Sequence, residues 1–480
     1  GLCTERPLPF PKGRGKSELC EDGGRGEWNQ SINAIHHAIA RGETYQVNLT
    51  RRLRARMPAD FDPLALYEHL RTAQAGTRYA AYLDTGRFQI ASASPELFFA
   101  TESQRIITRP MKGTARRGRW TEEDEQLAEA LAASEKDRAE NVMIVDLLRN
   151  DLGRIAAIGS VHVVTLFAIE RYPTVFQMTS TVEATLREGI GLTEIFGALF
   201  PCGSVTGAPK VSTMRHIATL ESEPRGVYCG AIGIVQPGGD AVFNVAIRTL
   251  VHDAETGVAE YGVGGGITWD STAAEEWAET KAKAAVLTQT HADPEFDLLE
   301  TLRLENGQYT LRARHLARLA DSAAYFSRRV DMGEISQALD TFAEAHPEGI
   351  WRVRLLVSLE GKPTVEGTAF AFSPSEPLPM MVAKTPADSQ NVFLFHKTTR
   401  REVYETHRKA LPEGIYDALL WNENGDVTEF TSANLVAEIA GVRWTPPRQA
   451  GLLAGTFRNE LLANGEIQER TLTIADIVGA

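Results

Sequence analysis

Apolar and polar positions along the chain switch between a helical period and a period of two. Helical spacing runs from Trp28 through WNQSINAIHHAIARG, with Gly42 as a stop. Strand-like segments follow: TYQVNLTRRLRARM, RYAAYLDTGRFQIASASPELFFA and RIITRPMKGT. A long helix is expected over Glu122 to Leu148, its first turn crowded with acidic residues where the helix dipole favours them. Gly-punctuated β segments, GVYCGAIGIVQPGGDAVFNVAIRTLV and AEYGVGGGITWD, lead to a closing helix in STAAEEWAETKAKAAVLTQ, with Thr272 and Glu275 placed as a capping box. After a short polar joint, THADPEFD, the pattern restarts in LLETLRLENGQYTLRARHLARLADSAAYF, read as strand, Asn-Gly turn, strand and helix. The main boundary therefore falls near residue 293. The domains expected are 27–290 and 297–480, joined by a linker at 291–296. Residues 1–26, rich in Gly, Pro and charge, read as a mobile or truncated end.

Composition narrows the field. The 480 residues are 43% hydrophobic and 24% charged, ordinary values for globular domains. A formal net charge of −13 argues against nucleic acid as a partner, because phosphate backbones require a basic surface. Small anionic substrates need only a locally positive pocket, and the many arginines can pair with them through two hydrogen bonds. Cys3, Cys20, Cys202 and Cys229 show neither CxxC nor Cys/His metal spacing, so a reducing cytoplasm is the expected home. No apolar run is long enough for a membrane span, and no signal-peptide pattern opens the sequence.

Several residues carry candidate chemistry. Glu276 and Glu279 lie three apart on the closing helix and share a face; such a pair can hold Mg²⁺, or can simply be a solvated acidic face. Glu140 opens ENVMIVDLLRNDLGRI, an apolar run interrupted by charge. The loop from Cys202 to Lys210, CGSVTGAPK, is built of small residues whose backbone N–H groups can approach an anion, and it ends in a cation. Lys112, in RPMKGTARRG, reads either as a turn residue or as a nucleophile.

Taken together, GETYQVNLTRR, SASPELFF, RPMKGT, DRAENVMIVDLLRNDLGRI, GSVTGAPK, YCGAIG, AIRT and GGGITWDSTAAEEWAET occur in the order and spacing of the chorismate-utilising enzymes. This resemblance covers residues 27–290. It implies an α+β fold of two packed β-sheets flanked by helices. Within that family a lysine at the position of Lys112 marks the aminodeoxychorismate synthases, where anthranilate synthases typically carry alanine; Met111 replaces the usual Ile. The resemblance implies that Lys112 attacks C2 of the chorismate ring and that Glu96 protonates the departing hydroxyl. Glu140, Glu276 and Glu279 would hold Mg²⁺ against the substrate carboxylate. Tyr228 and Arg248 would position the enolpyruvyl side chain, Gly265 and Gly266 would allow close backbone approach, and Thr114 and Lys210 would complete the substrate site. A lysine serves as a nucleophile once burial beside other cations lowers its pKa. Gln177 departs from the histidine that anthranilate synthases carry there. Relatives also carry a longer stretch before GETYQVN, so the chain reads as a fragment or as lacking a segment.

In the second half, Lys397 ends an expected hydrophobic strand in FLFHKTTRREVYE, and Glu429 follows an Asn-Gly turn in DALLWNENGDVTEFTSANLV. With Arg318 in RHLARL and Gly455-Thr456 in GLLAGTFR, these residues resemble the fold-type IV pyridoxal-phosphate enzymes over 297–480, a two-subdomain fold. The resemblance implies that Lys397 binds pyridoxal 5′-phosphate covalently and that Glu429 pairs with its pyridine nitrogen. Arg318, Thr431, Ser432, Gly455 and Thr456 would grip the phosphate. Lyase and aminotransferase both stay open, with the HKTT run and the fused partner favouring the lyase. The domain stops at LTIADIVGA, short of the segment with which such domains usually end. The joint expectation is a bifunctional maker of 4-aminobenzoate for folate, an aminodeoxychorismate synthase fused to an aminodeoxychorismate lyase. Its ammonia would come from a separate glutamine amidotransferase, since no glutaminase motif is visible, and a homodimer through the C-terminal domain is expected by analogy. Two rivals are an anthranilate synthase component fused to an aminotransferase, and a non-catalytic ligand-binding regulator. Lys112 and Gln177 count against the first, and the intact set of Lys112, Glu140, Glu276, Glu279, Lys397 and Glu429 against the second.

Overall fold

The computed structural model describes residues 24–74, 77–287, 295–370 and 377–478, with the backbone alone of Leu19–Glu21. Cys3, the Cys20 side chain, the opening 1–18 and linker residues 291–294 lie outside the described residues. The chain divides into two compact units, 1–117 with 127–293 and 118–126 with 294–480.

In the first unit the described strands form two seven-stranded sheets. One is ordered Leu19–Glu21, Gln46–Arg56, Val258–Ile267, Thr249–Asp253, Phe88–Ser94, Tyr79–Asp84, with Gly207–Ala208 also paired to Gln46–Arg56. The Gln46–Arg56 strand alternates buried and half-buried positions along most of its length, the period its sequence predicts. Leu53, Ala91, Leu250 and Tyr261 of this sheet pack with Leu66 and Leu70 of the helix Pro63–Ala73. That helix starts where Asp62 accepts the amides of Leu64 and Ala65.

The other sheet is ordered Ala231–Val235, Ala241–Val245, Leu97–Glu102, Arg105–Arg109, Val175–Thr185, Met111–Arg116, with His162–Arg171 also paired to Val175–Thr185. Its core joins Phe98, Phe99, Ile106 and Val182 to Leu152 and Leu199. RIITRPMKGT breaks at Pro110, which has no N–H for the ladder, so Lys112 starts a fresh strand, Met111–Arg116.

The long helix expected over Glu122 to Leu148 is instead two, Thr121–Ala133 and Glu135–Gly153. Ser134 between them is extended, and its hydroxyl accepts the amide of Asp137, so the side chain replaces the backbone bond that would have continued the helix. The closing helix, Ala273–Ala284, starts as expected with Thr272 Oγ1 accepting the Glu275 amide at 3.3 Å.

The second unit opens with a sheet ordered Gln308–Tyr309, Leu298–Glu305, Ile350–Val357, Pro363–Ala369. Its first hairpin turns on Asn306 and Gly307, both at positive φ, the turn that the Asn-Gly pair predicts. Helices Arg312–Tyr325 and Met332–Ala345 cover this sheet through Leu319, Ala323, Ile335 and Leu339. Two three-stranded sheets complete the unit, ordered Met380–Val382, Asp417–Trp421, Val427–Phe430 and Ala437–Ile439, Val442–Thr445, Gln468–Glu469. Trp120, from the 118–126 segment of this unit, stacks on Phe395 at 5.0 Å within the core that also holds Leu394, Tyr404 and Leu420. The strand expected before Lys397 is a short 3-10 turn, Val392–Leu394; an isolated bridge between Leu298 and Thr398 ties the chain to the first sheet just after the lysine. Among the described residues no helix is long and apolar enough to cross a membrane.

Candidate active sites

The first unit encloses a cavity of about 640 Å³ between strand Val258–Ile267 of one sheet and strand Met111–Arg116 of the other. Glu96, Lys112, Thr114, Glu140, Tyr228, Arg248, Gly265, Gly266, Glu276 and Glu279 all line it, as does Gln177. The run of glycines on one wall allows charged groups to come close. A Cβ on Gly265 would fall 2.5 Å from Glu276 Oε2, and one on Gly266 would fall 2.6 Å from Lys112 Nζ.

Lys112 is deeply set, its Nζ 3.8 Å from Glu140 Oε2. Burial lowers its pKa against the pull of Glu140, and the nearby charge of Lys283 lowers it further. Glu96 is 4% exposed, and burial raises its carboxyl to about 7 despite a hydrogen bond with Ser204 and the charge of Lys112. Thr114 donates to Gln177 Oε1 at 3.0 Å. Arg248 is half-buried at positive φ and donates to the neutral amide oxygen of Gln74, which leaves a positive charge facing the cavity.

Two buried carboxylate oxygens of residues lining this space have no hydrogen-bond partner among the described residues, Glu96 Oε1 and Glu276 Oε2. Burial is costly for unpartnered polar atoms, so they mark where a polar ligand fits. The carboxylates do not form a metal cluster as they stand; among the described residues no three His, Cys, Asp or Glu side chains gather closely enough to hold an ion. Glu279 is drawn 2.6 Å from Lys283, Glu140 faces Lys112, and Ser271 holds Glu276 Oε1 at 2.7 Å. Lys210 does not reach the cavity. It donates to Asp151 and to the Leu199 carbonyl, because it opens the helix Lys210–Leu220 on the side facing those groups. Ser204, Ser271 and Lys283 do not stand out in the sequence; their roles depend on neighbours far along the chain.

In the second unit, burial and the charge of Arg318 lower Lys397 to about 8, with Arg401 adding to the effect and Glu300 and Glu429 opposing it. Those groups surround the lysine. Arg318 forks onto both oxygens of Glu300 at 2.9 and 2.7 Å and donates to the carbonyl of Ala454, beside Gly455 and Thr456. Glu300 is 1% exposed; burial pushes its carboxyl up, but Arg318 and His315 outweigh this and hold it at about 2. His315 bridges onward from Glu300 to Thr456 Oγ1. At Gly455 a Cβ would fall 2.0 Å from Asn434 Oδ1.

Glu429 is buried, and burial raises it to about 7 although Leu453 N–H and Tyr404 O–H donate to it. The amide and hydroxyl of Thr431 and of Ser432 donate to the buried carboxylate of Asp417, and the Thr431 carbonyl accepts from Arg401. Glu300, His315, Arg401, Tyr404, Asn434 and Asp417 are the residues that sequence motifs alone do not pick out.

Comparison with known proteins falls along the same division. The chain is 44% identical over 286 residues to an aminodeoxychorismate synthase of Streptomyces griseus, covering 59% of this chain and 38% of that one. It is 41% identical over 282 residues to aminodeoxychorismate synthase component 1 of Bacillus subtilis, covering 58% of each. The chain thus spans less than two thirds of either relative. A crystal structure of anthranilate synthase component I from Streptococcus pneumoniae superposes with a TM-score of 0.53 at 32% identity, covering 59% of this chain and 61% of that one. Residues 297–480 match the class IV amino-transferases. Residues 2–289, more than half of the sequence, match the chorismate binding enzymes, and the chain belongs to that family.

Proposed function

We propose that the chain makes 4-aminobenzoate in two steps, amination of chorismate in the first unit and removal of pyruvate in the second. The observation that carries the reading is Lys112, a half-buried lysine of lowered pKa facing a cavity that it shares with the protonatable Glu96 and the cation Arg248. Nζ of Lys112 bonds to ring C2, both ring double bonds shift by one position, and the C4 hydroxyl leaves as water with the proton of Glu96. Ammonia then bonds to C4, both double bonds shift back, and Lys112 departs. Arg248 pairs with a substrate carboxylate, and the Tyr228 ring walls the pocket. Magnesium belongs to this proposal as well. The unpartnered Glu276 Oε2 supports it, and the ion would have to draw Glu140 and Glu279 from their lysines. Ammonia would reach the site from a separate glutamine amidotransferase.

A class IV domain implies pyridoxal phosphate. The residues fit it: Lys397 gives up its proton near pH 8, far below an exposed lysine, Glu429 offers a buried carboxylate, and Arg318 sits beside the Gly455-Thr456 corner. When bound, the cofactor supplies an electron sink. Lys397 would hold it and move the proton, and Glu429 would keep the ring nitrogen charged. We read this unit as the lyase and assign residues 27–290 and 297–480 to the two activities. Pairing of two chains through the second unit and a cytoplasmic home complete the proposal; the free buried thiols of Cys202 and Cys229 support the latter.

The test is a product assay with chorismate, Mg²⁺ and ammonium chloride. The parent chain should yield 4-aminobenzoate, Lys112→Ala should yield nothing, and Lys397→Ala should stall at aminodeoxychorismate. Appearance of anthranilate, or full activity of Lys112→Ala, would overturn the reading.

A further inference from the structure

Tyr404 lies seven residues beyond Lys397, in the helix Glu402–Lys409, and is buried. Its O–H donates to Glu429 Oε1 at 2.8 Å. The same oxygen accepts the Leu453 amide at 3.0 Å, and Oε2 accepts Asn434 Nδ2 at 3.0 Å. A carboxylate has about four lone-pair sites. Two are filled on Oε1 and one on Oε2, so a single site remains, on Oε2.

We propose that Tyr404 is a positioning residue that fixes the Glu429 carboxylate with this last site free for the ring nitrogen of the cofactor. The inference rests on the cofactor reading above. Without the phenol, Oε1 would keep only the Leu453 bond and the carboxylate could turn. The clamp is itself braced. Asn434 also donates to the Leu453 carbonyl at 2.8 Å, and its amide oxygen occupies the space that only a glycine at 455 leaves open. On the other side, the Arg401 guanidinium lies 4.4 Å over the Tyr404 ring and donates to the Thr431 carbonyl at 3.1 Å. A cation over the ring face draws electron density from the phenol and strengthens its O–H as a donor. Burial and the neighbouring Glu429 keep the Tyr404 phenol protonated, so it donates at every physiological pH.

The test titrates pyridoxal phosphate into the full chain and follows the absorbance band of the bound cofactor. Tyr404→Phe keeps the ring and removes one hydrogen bond to a charged group, so affinity should fall about 10- to 100-fold. In a Glu429→Gln background the same change should cost about twofold or less, because the tyrosine then has no carboxylate to hold. Parent-like affinity in Tyr404→Phe would overturn the inference alone, as would an equal loss in both backgrounds, which would mean a packing role. A parent chain that acquires no band would overturn the cofactor reading and this inference with it. The unfolding midpoint of the cofactor-free chain serves as the control for folding.

Discussion

The two units bury a lysine in opposite ways. Around Lys112 the charges are left partly unanswered: Glu96 and Glu276 each keep a buried oxygen without a partner, and Arg248 has a neutral one. Around Lys397 nearly every charge is answered within the protein. Glu300 is forked by Arg318 and touched by His315, Glu429 accepts three donors, and Asp417 accepts five. The first arrangement leaves its electrostatic work to a polar ligand that comes and goes. The second is assembled in advance, which suits a resident group, because preformed partners need not reorganise when it binds.

The largest expected effect tests that contrast directly. Glu300→Ala removes the buried carboxylate that Arg318 and His315 hold, and breaking such a pair by removing one partner costs about 3–5 kcal/mol. Calorimetry of the full chain should show the second unit unfolding earlier by that amount. Glu276→Ala in the first unit removes a carboxylate held by Ser271 alone on one oxygen and should cost about 1 kcal/mol or less. Equal losses would erase the distinction between the two sites.

The pH dependence of the cofactor-free chain sharpens it. Glu429 rises from 4.5 to about 7 on folding, so between those values the folded unit holds a proton that the unfolded chain has released, and stability falls as pH rises. Lys397 falls from 10.5 to about 8, so between 8 and 10.5 the unfolded chain holds the extra proton, and stability rises with pH. Each limb amounts to something on the order of 3 kcal/mol, a few pKa steps of about 1.4 kcal/mol. Urea unfolding across this range should show a minimum between 7 and 8. In the transition of the second unit, Glu429→Gln should flatten the lower limb and Lys397→Met the upper one.

Parts of this were legible in the sequence and parts were not, for physical reasons. Lys112, Glu96, Glu140 and the glycine run stand in motifs whose order survives folding, and all of them face one cavity. Glu300 carried a signal of its own: in LLETLRLE it shares the inward face with Leu298, Leu302 and Leu304, and a charge on a core face needs a partner. His315 and Arg318, three apart on one helix face, were that partner. Lys210 misled because a small-residue loop says nothing about which way its last side chain turns, and Asp151 lies 59 residues away. The break at Ser134 was hidden in an unbroken acidic and alanine-rich run, where one hydroxyl outweighed helix propensity. Tyr404 reaches Glu429 only through the packing of a separate helix, which no local pattern encodes.

A last contrast separates two kinds of glycine in the first cavity wall. A Cβ on Gly262 would fall 2.2 Å from the ring of Tyr228, which is 8% exposed and has nowhere to go. A Cβ on Gly266 would meet Gln46 Nε2 at 2.4 Å and Lys112 Nζ at 2.6 Å, the far ends of flexible side chains. Gly262→Ala should therefore cost stability, about 1–3 kcal/mol as overpacking does. Gly266→Ala should cost little stability, since two chain ends can swing aside, yet it moves the one amine that must meet the ring. Its loss should fall on kcat for the amination step, because a displacement of about 1 Å at a reacting atom is enough to cost about 100-fold. A Gly266→Ala chain that loses stability while keeping kcat would mean that the glycine serves packing alone, and that Lys112 is not held where the strand presents it.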